Sequence, residues 1–154
     1  MPKSSSLPGN RSGFTMIELA LALTVIAIMT AMVIPRLGRV MNSTRVNRTA
    51  TIVASDLEQA FTLAGRFRKP MRITCDCPNS IYTIADRSDG TVRLTRRLRD
   101  GDLGNMTLVR VAPGGAVDVF PSGVSTALLQ FRITAGNSTR AVTLSKAGIV
   151  RIIP

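Results

Sequence analysis

From Phe14 to Ile34 the chain runs for 21 residues with one charged side chain, Glu18. At a rise of about 1.5 Å per residue such a helix measures roughly 30 Å, the thickness of a bilayer's hydrocarbon core. Its Leu, Ala, Ile, Val and Met content suits a helix. A removable secretory signal fits poorly. Its apolar part would span about 7–15 residues and end in a small-x-small site. This run ends instead in Ile34-Pro35-Arg36. The spacing therefore predicts a transmembrane helix over residues 14–34. Glu18 is its odd member. A carboxylate in hydrocarbon costs about 2.5–3.5 kcal/mol or more, so it is either protonated, snorkelling to the surface, or kept for a partner.

Beyond the run the pattern changes twice. Pro35 lacks a backbone N–H and is expected to break or kink the helix. After it, Val40, Met41, Val46, Ile52, Val53, Leu57, Ala60, Phe61 and Ala64 recur at steps of three and four. That periodicity predicts an amphipathic continuation over residues 35–65, closed by Gly65. Residues 66–154 then turn rich in Pro, Gly and short β-branched runs. Strands are predicted at Met71–Thr74, Ile81–Asp86, Thr91–Leu98, Met106–Val111, Ala116–Phe120, Ala127–Thr134, Arg140–Ser145 and Ile149–Ile153. Turns are predicted at Cys77–Asn79, Asp86–Gly90, Asp100–Gly104, Pro113–Gly115, Pro121–Gly123, Gly136-Asn137 and Ala147-Gly148. The fold class is α+β, with antiparallel sheets clasping a long N-terminal helix.

The inventory of chemical groups narrows function by exclusion. The chain has no His and two Cys, so imidazole-based nucleophile pairs and a four-thiolate zinc site are out. It has no phosphate-binding Gly-rich loop ending in Lys-Ser/Thr. No catalytic residue, metal or cofactor is predicted. Asp56 and Glu58 fall on different faces of a helix, which makes them poor catalytic partners. Asp86, Asp89 and Gly90 read as a hairpin turn rather than a calcium loop, and Asp100 and Asp102 likewise. Cys75 and Cys77 form either a local disulfide or two free thiols.

Charge points outward. Twenty bases against nine acids give +11, which asks for an anionic partner. Two clusters stand out in the β-rich part: Arg66, Arg68, Lys69 and Arg72, and then Arg93, Arg96, Arg97 and Arg99. A solvated face, salt bridges to an acidic protein, or phosphate contact are the readings available.

Ahead of the apolar run lies a polar leader, residues 1–13, with Lys3, Arg11 and several Ser, ending in Gly13. Gly13 followed by Phe14-Thr15-Met16-Ile17-Glu18 resembles the processing site of type IV prepilins and type II secretion pseudopilins. The resemblance implies cleavage after Gly13 by a prepilin peptidase and N-methylation of Phe14. It implies that Glu18 stays in the mature helix as the filament-assembly contact, pairing with a neighbour's terminal amine. It also implies bending or opening of the helix at Pro35 on assembly. Further on, Val119-Phe120-Pro121-Ser122-Gly123, Leu128–Thr134, Arg140–Ser145 and Gly148-Ile149-Val150-Arg151 resemble the GspH/FimT-type pseudopilin domain. A minor pseudopilin of a type II secretion system is the function implied, with a FimT-like minor type IV pilin as the alternative. The implied location is the bacterial inner membrane, single-pass, with the leader cytoplasmic and residues 66–154 periplasmic. The implied partners are other pilins or pseudopilins, the peptidase and inner-membrane lipid. Two bases before the run against Arg36, Arg39, Arg45 and Arg48 after it oppose that orientation on the positive-inside rule. FimT-type pilins that take up DNA imply a C-terminal Gly-Arg-x-Arg element. Here it is Gly148-Ile149-Val150-Arg151, without the first Arg, and Tyr82 is the only Tyr. DNA contact through Arg93, Arg96, Arg97, Arg99 and Arg151 is thus the weaker reading.

Overall fold

A computed structural model describes residues 13–99, 106–112 and 114–154, with backbone only at 32–37 and 39. The leader before Gly13 and the turn expected at Asp100–Gly104 lie outside the described residues. The chain divides into two compact units, Met1–Leu37 and Gly38–Pro154. One helix, α1 (Met16–Phe67), supplies residues to both. Eight strands follow: β1 (Met71–Asp76), β2 (Ile81–Asp86), β3 (Val92–Arg97), β4 (Thr107–Ala112), β5 (Val117–Val119), β6 (Leu129–Ala135), β7 (Ser138–Leu144) and β8 (Val150–Ile153). The architecture is α+β, as the pattern of periods implied.

In the first unit, helical backbone runs through Pro35 without interruption. The break expected there is therefore not a gap in the helix. Proline's fixed φ is compatible with helix, and what it removes is one donor and one hydrogen bond. Every described residue from Gly13 to Ala31 is exposed. Among the described residues no helix is long and apolar enough to cross a membrane. The span over residues 14–34 accordingly stands on the sequence alone.

In the second unit, α1 buries a narrow stripe. Val46, Ala50, Val53, Leu57, Ala60 and Ala64 are fully buried, at alternating steps of four and three. The buried face begins later than the periodicity suggested, since Val40 and Met41 are exposed. The small residues in the stripe let backbone and sheet approach closely. Two antiparallel four-stranded sheets share the core with it, in the orders β3-β2-β1-β5 and β4-β6-β7-β8. Alternation along the strands selects the inward sets. They are Met71, Ile73, Tyr82, Ile84, Val117 and Val119 from the first sheet, and Leu108, Leu129, Phe131, Ile133, Val142 and Leu144 from the second. The rings of Tyr82 and Phe131 stack at 5.7 Å between centroids and so join the two sheets.

Polar groups fix the junctions. Cys75 and Cys77 are bonded to each other, closing a short turn between β1 and β2. The turn ends in Ser80, a buried residue in the left-handed region at φ 55°. The Ser80 amide donates to the Cys77 carbonyl at 3.0 Å, and its own carbonyl accepts from Leu98 N–H at 2.9 Å. Its hydroxyl accepts from Leu108 N–H at 3.2 Å. One residue thereby ties the first sheet to β4 of the second. At the other end, Lys69 Nζ lies 3.4 Å from Asp86 and 3.5 Å from Asp89. Hydrogen bonds from Thr91 hold the Asp89 carboxyl down to about 2. Hydrogen bonds from Ser88 lower Asp86 in the same way.

Two C-terminal turns dock on each other. Gly123 closes the turn begun by Phe120, accepting φ 83°, and Gly148 sits at φ 76° before β8. A Cβ on Gly148 would collide with the Gly123 carbonyl oxygen. Ser125 N–H donates to Lys146 C=O at 2.9 Å, and Ser125 Oγ donates to Ser145 C=O at 3.0 Å. Replacing Gly148 by Ala should therefore cost both backbone strain and a main-chain clash, about 2–4 kcal/mol together. Denaturant unfolding of Gly148→Ala against the parent checks this. A second expectation concerns acid. Asp86 and Asp89 titrate lower when folded than when unfolded, so their stabilisation is complete above pH 4 and is lost as pH falls toward 2. A melting temperature that is flat from pH 7 to 4 and drops below it is the result to look for.

Candidate functional site

The N-terminal site is built on a helix start. Thr15 caps α1: its Oγ1 accepts from Glu18 N–H at 3.3 Å, and its C=O accepts from Glu18 and Leu19 N–H at 3.1 and 3.2 Å. Thr15-Met16-Ile17-Glu18 has the capping-box order, with an acid at the third helical position. There the carboxylate sits beside the positive end of the helix dipole. Glu18 is thus placed one turn from Phe14, which stands 81% exposed ahead of the helix. Gly13 is exposed, and a Cβ built on it would meet nothing.

The second set of polar groups lies in the globular unit, and sequence reasoning missed its centre. Asp56 is buried on α1, whereas Glu58 on another face is exposed. The Asp56 carboxylate receives Arg96 Nε at 2.8 Å and Nη2 at 2.9 Å, a bidentate pair. Tyr82 donates its hydroxyl to the same carboxylate. Burial pushes the Tyr82 phenol up, and the carboxylate adds to that by preferring the protonated donor. The pair raises Arg96 as well. A lone Asp among polar helix positions gives no sequence signal for this. The only hint was its place four residues before Ala60, on the buried side.

The Arg residues expected to present an anion site are not brought together. Arg96 is spent on Asp56. A bulge between Ile84 and Ala85 skips Arg93 in the β2–β3 pairing, and Arg93 instead lies over the Phe67 ring at 4.1 Å. Arg66 approaches the same ring at 5.7 Å. Arg97 and Arg99 remain exposed, and Arg151 lies on β8 in the other sheet. In the first cluster, Arg72 pairs with Asp118 at 2.8 Å and Arg87 reaches the same acid at 3.4 Å. Among the described residues no group of three or more His, Cys, Asp or Glu gathers as metal ligands would.

Removing the Asp56 carboxylate strands a half-buried guanidinium and a buried phenol at once. Asp56→Ala should cost about 2–4 kcal/mol, below the usual figure for a buried pair because Arg96 keeps some solvent. Chemical denaturation measures it, and Arg97→Ala, on the exposed side of the same strand, should change stability by less than about 0.5 kcal/mol.

Residues 8–34 match the family model for the prokaryotic N-terminal methylation motif. That motif stands at the head of a helix, and two antiparallel sheets follow in the chain. The fold is similar to that of the type IV minor pilin FimU of Pseudomonas aeruginosa PAO1. Identity is 15% and the TM-score 0.57, over 72% of this chain and 90% of that one. It is also similar to EpsH, the minor pseudopilin of the type 2 secretion system of Vibrio cholerae. There identity is 14% and the TM-score 0.52, over 71% and 96% of the two chains. At such identities the likeness is one of fold. No curated protein matches the chain in sequence.

Proposed function

We propose that the chain is a minor pseudopilin, a non-catalytic filament subunit of a type II secretion system. It is cut after Gly13 by a prepilin peptidase, methylated on Phe14, and anchored in the inner membrane by residues 14–34. The observation that carries the reading is the methylation motif over residues 8–34, set at the start of a capped helix. Gly13 stands inside that motif, just ahead of the capped helix, where a protease could approach the main chain closely. The exposed apolar face of Phe14 to Ala31 has lipid, and later neighbouring helices, as its natural cover. In that setting Glu18 is a register device. Unpaired it is costly, and a neighbour's methylated amine at the right height satisfies it. Pro35, where one helical hydrogen bond is already missing, is the place for the helix to open on assembly. A minor pilin of a type IV pilus is the second reading, favoured by the fold likeness to FimU.

The mass of the protein recovered from membranes tests the first step. It should lack residues 1–13 and carry one methyl group at Phe14, whereas Gly13→Val should keep the leader. Intact mass in the parent would remove the processing site from the reading. Glu18→Ala should be cut and inserted as the parent is. Its incorporation into sheared filaments should fall roughly tenfold or more, the factor that about 1.4 kcal/mol of lost pairing commands. Deleting the genes of a secretion assembly or of a pilus assembly, one at a time, tells the two machines apart by which loss leaves the subunit unassembled.

A further inference from the structure

The second sheet differs from the first in its charge. Its four strands carry Arg110, Arg132, Arg140 and Arg151 and no acid. From Val119 to Pro154 the chain has no Asp or Glu at all, and Lys146 adds a further base. The acids that neutralise Arg72, Arg87, Arg96 and Lys69 all lie elsewhere in the chain.

The four sheet edges also differ. Edge strand β3 carries Arg93, Arg96 and Arg97, edge strand β4 is bulged between Arg110 and Ala112, and edge strand β5 is three residues long and bridged from Val119 to Ser125. Those are common ways to blunt an edge. Edge strand β8 carries one charge, Arg151, among Val150, Ile152 and Ile153. Ile149, Ile152 and Ile153 beside it are 51, 45 and 42% exposed. On its outer face Thr143, Ser145, Ala147, Ile149, Arg151 and Ile153 line an open groove of about 500 Å³. Arg151 pairs across to Thr143 and Ile153 to Ala141, and Arg132 lies one strand further in. Ile149, Arg151 and Ile153 recur every second residue, a repeat of roughly 6.6–7 Å that matches the side chains of an extended partner. Every second residue of β8 turns its N–H and C=O away from β7, ready for another strand.

We propose that β8 is the docking edge for an extended acidic segment of a different subunit. That segment adds as a fifth strand to the second sheet. It lays apolar side chains on Ile149 and Ile153 and a carboxylate on Arg151, with Arg132 adding long-range attraction. A second copy of this chain is disfavoured as occupant, because the face would meet its own positive charge. Nucleic acid is disfavoured because the groove floor is mostly aliphatic, with one guanidinium and no aromatic ring for a base to stack on. The inference does not depend on which filament the chain joins.

The test uses the full chain in non-ionic detergent micelles and three labelled octapeptides, followed by fluorescence anisotropy. One alternates Ile and Glu, one alternates Ile and Lys, and one repeats the Ile–Glu sequence with alternate backbone amides methylated. A short single-stranded DNA is the fourth probe. The Ile–Glu peptide should bind saturably, and the other three should bind at least tenfold more weakly. Arg151→Glu should lower the Ile–Glu affinity at least tenfold and improve that of the Ile–Lys peptide. Arg45→Glu, with the same change in net charge on the exposed helix face, should leave both unchanged. Matching melting temperatures confirm that the variants fold. Absence of Ile–Glu binding, equal binding of the methylated peptide, an equal effect of Arg45→Glu, or tighter binding of DNA through Arg151 would each overturn the proposal.

Discussion

The stripe of α1 from Val46 to Ala64 is the surface on which the rest of the globular unit is organised. Eight strands without it would be two small sheets with one apolar face each and too little partner surface to bury it. Half of the stripe is Ala, and both sheets share the core with it; the Tyr82–Phe131 stack marks where they meet. Asp56 interrupts this apolar contact with a carboxylate whose partners, Arg96 and Tyr82, both come from the first sheet. Apolar contact alone would tolerate sliding of sheet over helix by a residue. A bidentate carboxylate–guanidinium pair with a phenol on the same oxygen allows one position. Stability thus comes mainly from the stripe, and register from the one acid within it.

Much of this was legible in the sequence, for reasons that differ by element. Strands were located within a residue or two because turn chemistry brackets them. Asp86–Gly90 interrupts a β-branched run so sharply that β2 keeps its predicted limits. The helix was legible through its period, but its buried face was set too early at Val40 and Met41. Periodicity reports which residues can share a face, not where the sheets begin to cover it. What each Arg of the clusters touches was not legible. Neighbours in sequence on β3 are dealt to opposite faces, and a bulge re-aims one of them, which composition cannot show. The partnership of Asp56 with Arg96 spans 40 residues and was invisible for the same reason.

The proposed processing site stands apart from the packing. Thr15 and Glu18 serve the helix start, and Phe14 stands exposed ahead of it.

The clip between Cys75 and Cys77 has a consequence for how the chain matures. Its two sulfurs belong to residues two apart, and the sequence has no third cysteine. Oxidation therefore needs no long-range structure to precede it and offers no wrong intramolecular pairing to be corrected. A single oxidant encounter is enough, with no isomerase. The bond closes the turn that carries Ser80 to the seam of the two sheets.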